Sequence, residues 1–289
     1  MDGFLFINKP INLTSRDVVN EICRIYGVSR VGHTGTLDPI ATGVLIIALG
    51  MGTKLIDELT TEDKSYIASA KMGILTDTLD ITGEVVATSI LREVTKTELD
   101  DILQSFVGTI SQTVPLYSAV RVNGRKLYEY GRLHIPVTLP KRTVVINQIE
   151  LLELTADTFT FKVSVSKGTY IRSLIKDIGD KLKIPCSMCA LCRIKQGNIS
   201  LDECIELNQV SKDTQLITID SVLRGYPSYI VNRVEEGHIY DGVPLNNLGY
   251  TTKVKIYTTE GKLIALYKVN EVNDKQLVMD RLFVRREEL

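Results

Sequence analysis

The chain has 289 residues, 44% of them apolar and 24% charged, with a formal net charge of -1, the composition of a soluble globular protein of one or two domains. No apolar stretch reaches the roughly 18 residues of a membrane span. The opening MDGFLFINKP lacks the basic region of a signal peptide, and five cysteines, an odd number, fit a reduced cytoplasmic compartment better than a disulfide framework.

The even charge balance hides a pattern. Residues 1–120 hold 9 Lys and Arg against 15 Asp and Glu, residues 121–195 hold 14 against 6, and residues 196–289 hold 11 against 14. A basic middle in an acidic chain suits a local polyanion surface; a solvated, salt-bridged face is the plainer alternative.

In chain order, RVGHTGTLDPIATGVL (30–45) sets two glycines, a histidine and two threonines ahead of Asp38-Pro39. It is neither a Walker loop, which ends Gly-Lys-Ser/Thr, nor Gly-x-Gly-x-x-Gly. What remains is a glycine-shaped loop that presents Asp38. Pro39 biases Asp38 toward an extended backbone, and an Asx-turn is the bland reading of the same residues. VLIIALG (44–50) reads as a buried strand and SYIASAKMG as a half-buried one through Tyr66, Ala68, Ala70 and Met72. TKTELDDILQSFVG predicts a helix with Thr95 and Glu98 as a capping box, Leu99, Ile102, Leu103 and Phe106 on one face, and Gly108 past its end.

FTFKVSVSKG predicts a strand through Phe159, Phe161, Val163 and Val165. TYIRSLIKDIGDKL then turns helical, with Ile171, Leu174, Ile175, Ile178 and Leu182 on one face. Arg172 lies off that face at the strand-to-helix junction, free to line a cleft or to be solvated. CSMCALC spaces Cys186, Cys189 and Cys192 like iron–sulfur ligands, but Gln196 stands where the fourth cysteine belongs, so buried thiols are the better reading. From about residue 225, glycine and proline punctuation gives way to the short strands TKVKIYTT, KLIALYKV and QLVMDRLFV, a small β-barrel or sandwich. Its charge is balanced, and its local cation pairs are Lys253/Lys255 and Arg285/Arg286.

RVGHTGTLDPIATGVL resembles the signature loop of the TruB-type tRNA pseudouridine synthases. Supporting segments follow in order: KPINLTS (9–15), DKSYIA, TDTLDITGE (76–84), PLYSAVRVNGRKLYEYGR (115–132) and SKGTYIRSLIKDIG (166–179). The likeness is strong over residues 3–197 and weaker over 225–289, which resemble a PUA-like RNA-binding module. Three departures stand out. Asn12 replaces a usual glycine, Arg121 a usual lysine, and Cys192 a common arginine.

The resemblance implies an α+β fold: a mixed, largely antiparallel catalytic sheet over residues 1–224, with an RNA-binding insertion at about 112–142, and a β-rich module over 225–289. It implies a cytoplasmic monomer that needs no cofactor or metal and isomerises a uridine in the T-loop of tRNA, position 55, to pseudouridine. Asp38 becomes the nucleophile, Arg172 its cation, and Tyr66 the tyrosine that stacks on the base. Tyr170 and Leu191 pack around the base, and His33 fills the gap that a flipped nucleotide leaves. Lys9, Arg121, Arg125, Lys126 and Arg132 are placed as RNA contacts, the insertion's cations among Tyr117, Tyr128 and Tyr130. A non-catalytic RNA-binding or tRNA-folding protein has no need of Asp38, Tyr66 and Arg172 together. A nucleotide-binding enzyme using GHTGTLD as an anion nest is the other rival.

Overall fold

A computed structural model describes residues 1–284. The strand Lys64–Met72 buries every second residue, Tyr66, Ala68, Ala70 and Met72 among them, as period-2 alternation requires. Ala41–Leu49, by contrast, is buried almost throughout. Leu45, Ile47 and Leu49 enter one core and Val44, Ile46 and Ala48 a second. A strand buried on both faces reads as an unbroken apolar run, and that is what VLIIALG is.

Both strands lie in a ten-stranded sheet. Its main path runs Ile205–Glu206, Gly3–Lys9, Ala41–Leu49, Cys186–Gln196, Lys64–Met72, Thr158–Val165, Lys141–Leu154, Gly108–Thr113. Most pairings are antiparallel; Cys186–Gln196 runs parallel to Ala41–Leu49, and Gly3–Lys9 parallel to Ile205–Glu206. The approach of Ala41–Leu49 to Cys186–Gln196 demands glycine at position 43. Its φ is +99°, and a Cβ there would sit 2.2 Å from the carbonyl oxygen of Arg193.

The helices Ser15–Tyr26, Lys96–Gln104 and Ile171–Leu182 cover one face. They bury Val18, Val19 and Ile22, then Leu99 and Leu103, then Leu174, Ile175, Ile178 and Leu182 in the first core. Thr95 caps its helix by accepting from the backbone N–H of Glu98. The other half of the expected capping box is missing, because the Glu98 carboxylate pairs with Arg92 instead. The segment 114–140 leaves the sheet at Thr113 and re-enters at its register partner Lys141. It carries a two-residue-strand hairpin, Arg121–Val122 with Arg125–Lys126, and the short helix Leu127–Arg132.

A second, five-stranded sheet is built entirely from residues 228–282. It has its own core around Val254, Ile256 and Tyr267, yet Leu266 and Phe283 pack with Phe4, Phe6 and Ile46 on the back of the large sheet. The cation pair Lys253/Lys255 is spent internally. Lys253 pairs with Glu58 and Asp280, and Lys255 lies 2.8 Å from Asp220. Arg285 and Arg286 lie outside the described residues.

Candidate active site

Three residues of the stretch 9–15 fix the loop that carries Asp38. Asn12 stands at φ +69°, the conformation that asparagine tolerates where glycine would be usual, and its N–H donates to the carbonyl of Pro39 at 2.8 Å. The Ser15 hydroxyl accepts from the N–H of Leu37 at 2.9 Å and lies 3.3 Å from its carbonyl. Lys9 is fully buried, and its ammonium donates to the carbonyls of Pro10 and Leu13 at 2.8 and 2.5 Å and to that of Pro39 at 3.4 Å. Burial drives its pKa down to about 8 even though the Asp38 carboxylate pulls it up. Lys9 therefore braces the loop from below, and its ammonium is buried against carbonyls rather than exposed where the sequence reading places an RNA contact.

Asp38 does not fold back into an Asx-turn. Its Oδ2 is 2.9 Å from Nε of Arg172 and its Oδ1 accepts from Nη2 at 3.1 Å, a fork-on-fork pair. Arg172 is 6% exposed, so the solvated reading of this arginine fails. Two of its three remaining N–H groups are held by the carbonyls of Thr78, 2.9 Å, and Tyr117, 3.0 Å. Burial pushes the Asp38 carboxyl above its ordinary range. Arg172 pulls it back, and the nearby charge of Asp80 adds to the rise.

The pair lies on a cleft of about 830 Å³, a size that suits a bound nucleotide. Tyr66, Tyr170 and Leu191 line it with Asp38 and Arg172. Tyr66 stands on the central strand, and among the described residues its hydroxyl has no hydrogen-bond partner. Tyr170 caps the helix that carries Arg172, and its backbone N–H and C=O are both bonded by the buried side-chain amide of Gln112, at 2.8 and 3.1 Å. Leu191 pairs across to Ala41 and Ala68.

His33 does not line this cleft. Its Nδ1 accepts from the N–H of Gly35 at 3.3 Å, and burial, with Arg16 and Arg193 adding to it, lowers its pKa. In the insertion, Arg125 lies over the ring of Tyr130 at 5.6 Å, and Lys126 and Arg132 over that of Tyr128 at 5.5 and 5.3 Å. Arg121 is exposed and donates to the carbonyl of Gly124. Tyr117 and Tyr128 reach the cleft, so the insertion forms part of its wall.

Sequence reading missed Gln112, Lys64, Arg193 and Ser118, whose buried hydroxyl has no partner among the described residues. Lys64 and Arg193 had a readable signal: each lies two residues from a predicted cleft residue, Tyr66 or Leu191, on the same side of its strand. The cysteines Cys186, Cys189 and Cys192 are free thiols along one strand, which spaces successive ones roughly 10 Å apart, too far to share one ion.

The profile of the TruB family pseudouridylate synthase (N terminal domain) matches residues 23–171. The chain belongs to the TruB family of pseudouridylate synthases. It is 35% identical to a tRNA pseudouridine synthase B of Bacillus cereus over 100% of this chain and 99% of that one. Against the enzyme of the same name from Clostridium kluyveri it is 40% identical over 98% and 100%. As a TruB-family member the chain is a pseudouridine synthase, an isomerase. A solved H/ACA ribonucleoprotein bound to a substrate RNA containing 2'-deoxyuridine shares the fold, with TM-score 0.72 at 22% identity over 99% of this chain and 86% of that one. An archaeal box H/ACA complex gives 0.71 at 24% over 99% and 87%. Among the described residues no helix is long and apolar enough to cross a membrane.

Proposed function

We propose that this chain converts a uridine in the T-loop of tRNA, position 55, to pseudouridine, with Asp38 as nucleophile toward a nucleotide turned out of the loop. The observation that carries this reading is the Asp38–Arg172 pair on the wall of a nucleotide-sized cleft in a TruB-family chain. The reaction breaks the N-glycosidic bond, rotates the uracil and joins its ring carbon to the ribose, with no atom gained or lost. One carboxylate that attacks and later leaves is enough. The paired acid and base of a hydrolase have no task, since no water enters the product.

Arg172 keeps the carboxylate ionised despite its burial. Tyr66 stacks on the base and serves the loss of the ring-carbon proton, and Tyr170 and Leu191 pack around the base. His33, its pKa lowered, offers a flat neutral ring for the space the flipped nucleotide vacates. The cation–tyrosine surface of the insertion grips the T-arm through phosphates and stacked bases. That the similar bacterial enzymes are named for tRNA supports tRNA as the substrate class.

Mapping pseudouridine in total tRNA from a strain lacking the gene tests this directly. The reading expects the T-loop pseudouridine at position 55 to vanish and to return with the wild-type gene. An unchanged T-loop overturns it.

A further inference from the structure

Four cations at one end of the cleft have no part in the chemistry above. Lys64 and Arg193 are 8% and 1% exposed, and Lys167 and Arg142 stand at the rim of the same cleft. They converge on two glycines. A Cβ at Gly35 would lie 3.4 Å from Nη1 of Arg193 and 3.7 Å from Cε of Lys64, and a Cβ at Gly168 would lie 3.6 Å from Nη1 of Arg142. Glycine at both positions leaves that space open.

The two buried cations are held by carbonyl oxygens rather than by carboxylates. Arg193 donates to the carbonyls of Val44 and Gly35 at 2.7 and 3.1 Å, and Lys64 to those of Thr60 and Glu62 at 3.0 and 2.7 Å. Among the described residues none of them is ion-paired with a carboxylate. Glu62 and Asp63 are the acidic groups near Lys64. Both raise the Lys64 pKa from a distance, without a salt-bridge contact, and Asp63 accepts from the Asn147 amide. Burial, reinforced by Arg193, brings Lys64 down to about 8. Two buried cations side by side with no carboxylate in contact are costly to hold, and a ligand that brings negative charge relieves the cost.

We propose that Lys64 and Arg193, with Lys167 and Arg142 at the rim, form a phosphodiester subsite that seats the backbone phosphate flanking the isomerised nucleotide. The proposal rests on the RNA-isomerase reading and deepens it. Gly35 lies three residues before Asp38, so a phosphate seated above Gly35 sets the register of the adjoining ribose against the nucleophile. Arg142 stands at the end of the insertion; the insertion's other cations Arg125, Lys126 and Arg132 lie over tyrosine rings instead.

The test uses the full chain and a T-arm hairpin in which a flanking phosphate is replaced by a neutral methylphosphonate. Kd is measured for wild type, Lys64→Met and Lys167→Ala on both RNAs. Wild type should lose about tenfold in affinity on neutralisation, equal to about 1.4 kcal/mol. Lys64→Met should lose a similar factor on the natural hairpin and then bind both RNAs alike, because the two changes remove one interaction. Lys167→Ala, a rim change that leaves the core intact, should shrink the neutralisation penalty in the same sense. Full additivity in both variants, or a wild type indifferent to neutralisation of either flanking phosphate, overturns the subsite. Competition by ATP as strong as by the hairpin overturns its assignment to RNA. Pseudouridine formation on the natural hairpin is scored separately. A phosphate-sensitive complex that makes no pseudouridine would sink the isomerase reading and leave the subsite standing.

Discussion

Nε and Nη2 of Arg172 lie 2.9 and 3.1 Å from the two carboxylate oxygens of Asp38, joining the first turn of a helix to a glycine-shaped loop 134 residues earlier. Because the carbonyls of Thr78 and Tyr117 hold the same guanidinium, it is fixed before any substrate arrives. Such preorganisation serves a charge that must be ready to react.

Arg172→Lys keeps the charge and loses the fork. Single-turnover pseudouridine formation should fall about 100-fold or more while the far-UV spectrum and melting temperature stay near wild type. Unchanged turnover in a folded variant would show that the fork has no catalytic role.

The pH dependence follows from the same pair. Burial lifts the Asp38 pKa above the ordinary 3.8, and Arg172 limits the rise. If Asp38 is the proposed nucleophile, its reactive form is the ionised one, so rate is lost as pH falls through this raised value. The acid limb of the pH–rate profile should lie above 3.8 and move higher still in Arg172→Met. A limb that stays in place when the guanidinium is removed argues against the pairing as its determinant.

The proposed role of the insertion's cations is to hold RNA. Arg125→Ala with Lys126→Ala removes two charges that lie over tyrosine rings. It should weaken RNA binding and make the salt dependence of log Kd shallower by about one to two. Weakened binding at the original slope would mean that the two residues act through folding.

The C-terminal sheet is packed onto the back of the large sheet. Leu266 and Phe283 share a core with Phe4, Phe6 and Ile46, and Lys253 spans from Asp280 to Glu58. Truncation after residue 224 should expose that apolar face and give insoluble protein, and Phe283→Ala in the full chain should cost about 3 kcal/mol on unfolding. A soluble, cooperatively folding truncation contradicts this.

Legibility in the sequence followed the range of the interaction. Local patterns carried well: the alternation of Lys64–Met72 and Thr158–Val165 and the apolar face of Ile171–Leu182. Asp38 and Arg172 were legible through motif resemblance, and the structure brings them into contact. Residue identity says little about what a side chain meets. Lys9 reads as a cation for RNA but is spent on three carbonyls. Lys253 and Lys255 read as a local cation pair but are neutralised by carboxylates distant in sequence. Glu98 left its capping box for Arg92, a partner that periodicity does not weigh. The docking of the C-terminal sheet was invisible because apolar alternation shows that a face is buried without showing against what.

The central claim is that Asp38 is the nucleophile, and the most direct measurement is single-turnover pseudouridine formation by Asp38→Asn on full-length tRNA, with Kd measured alongside. The substitution keeps the shape of the side chain and removes its charge. Turnover should fall by at least about 1,000-fold while Kd stays within a few-fold of wild type. An Asp38→Asn protein that retains a tenth of wild-type turnover would contradict the account.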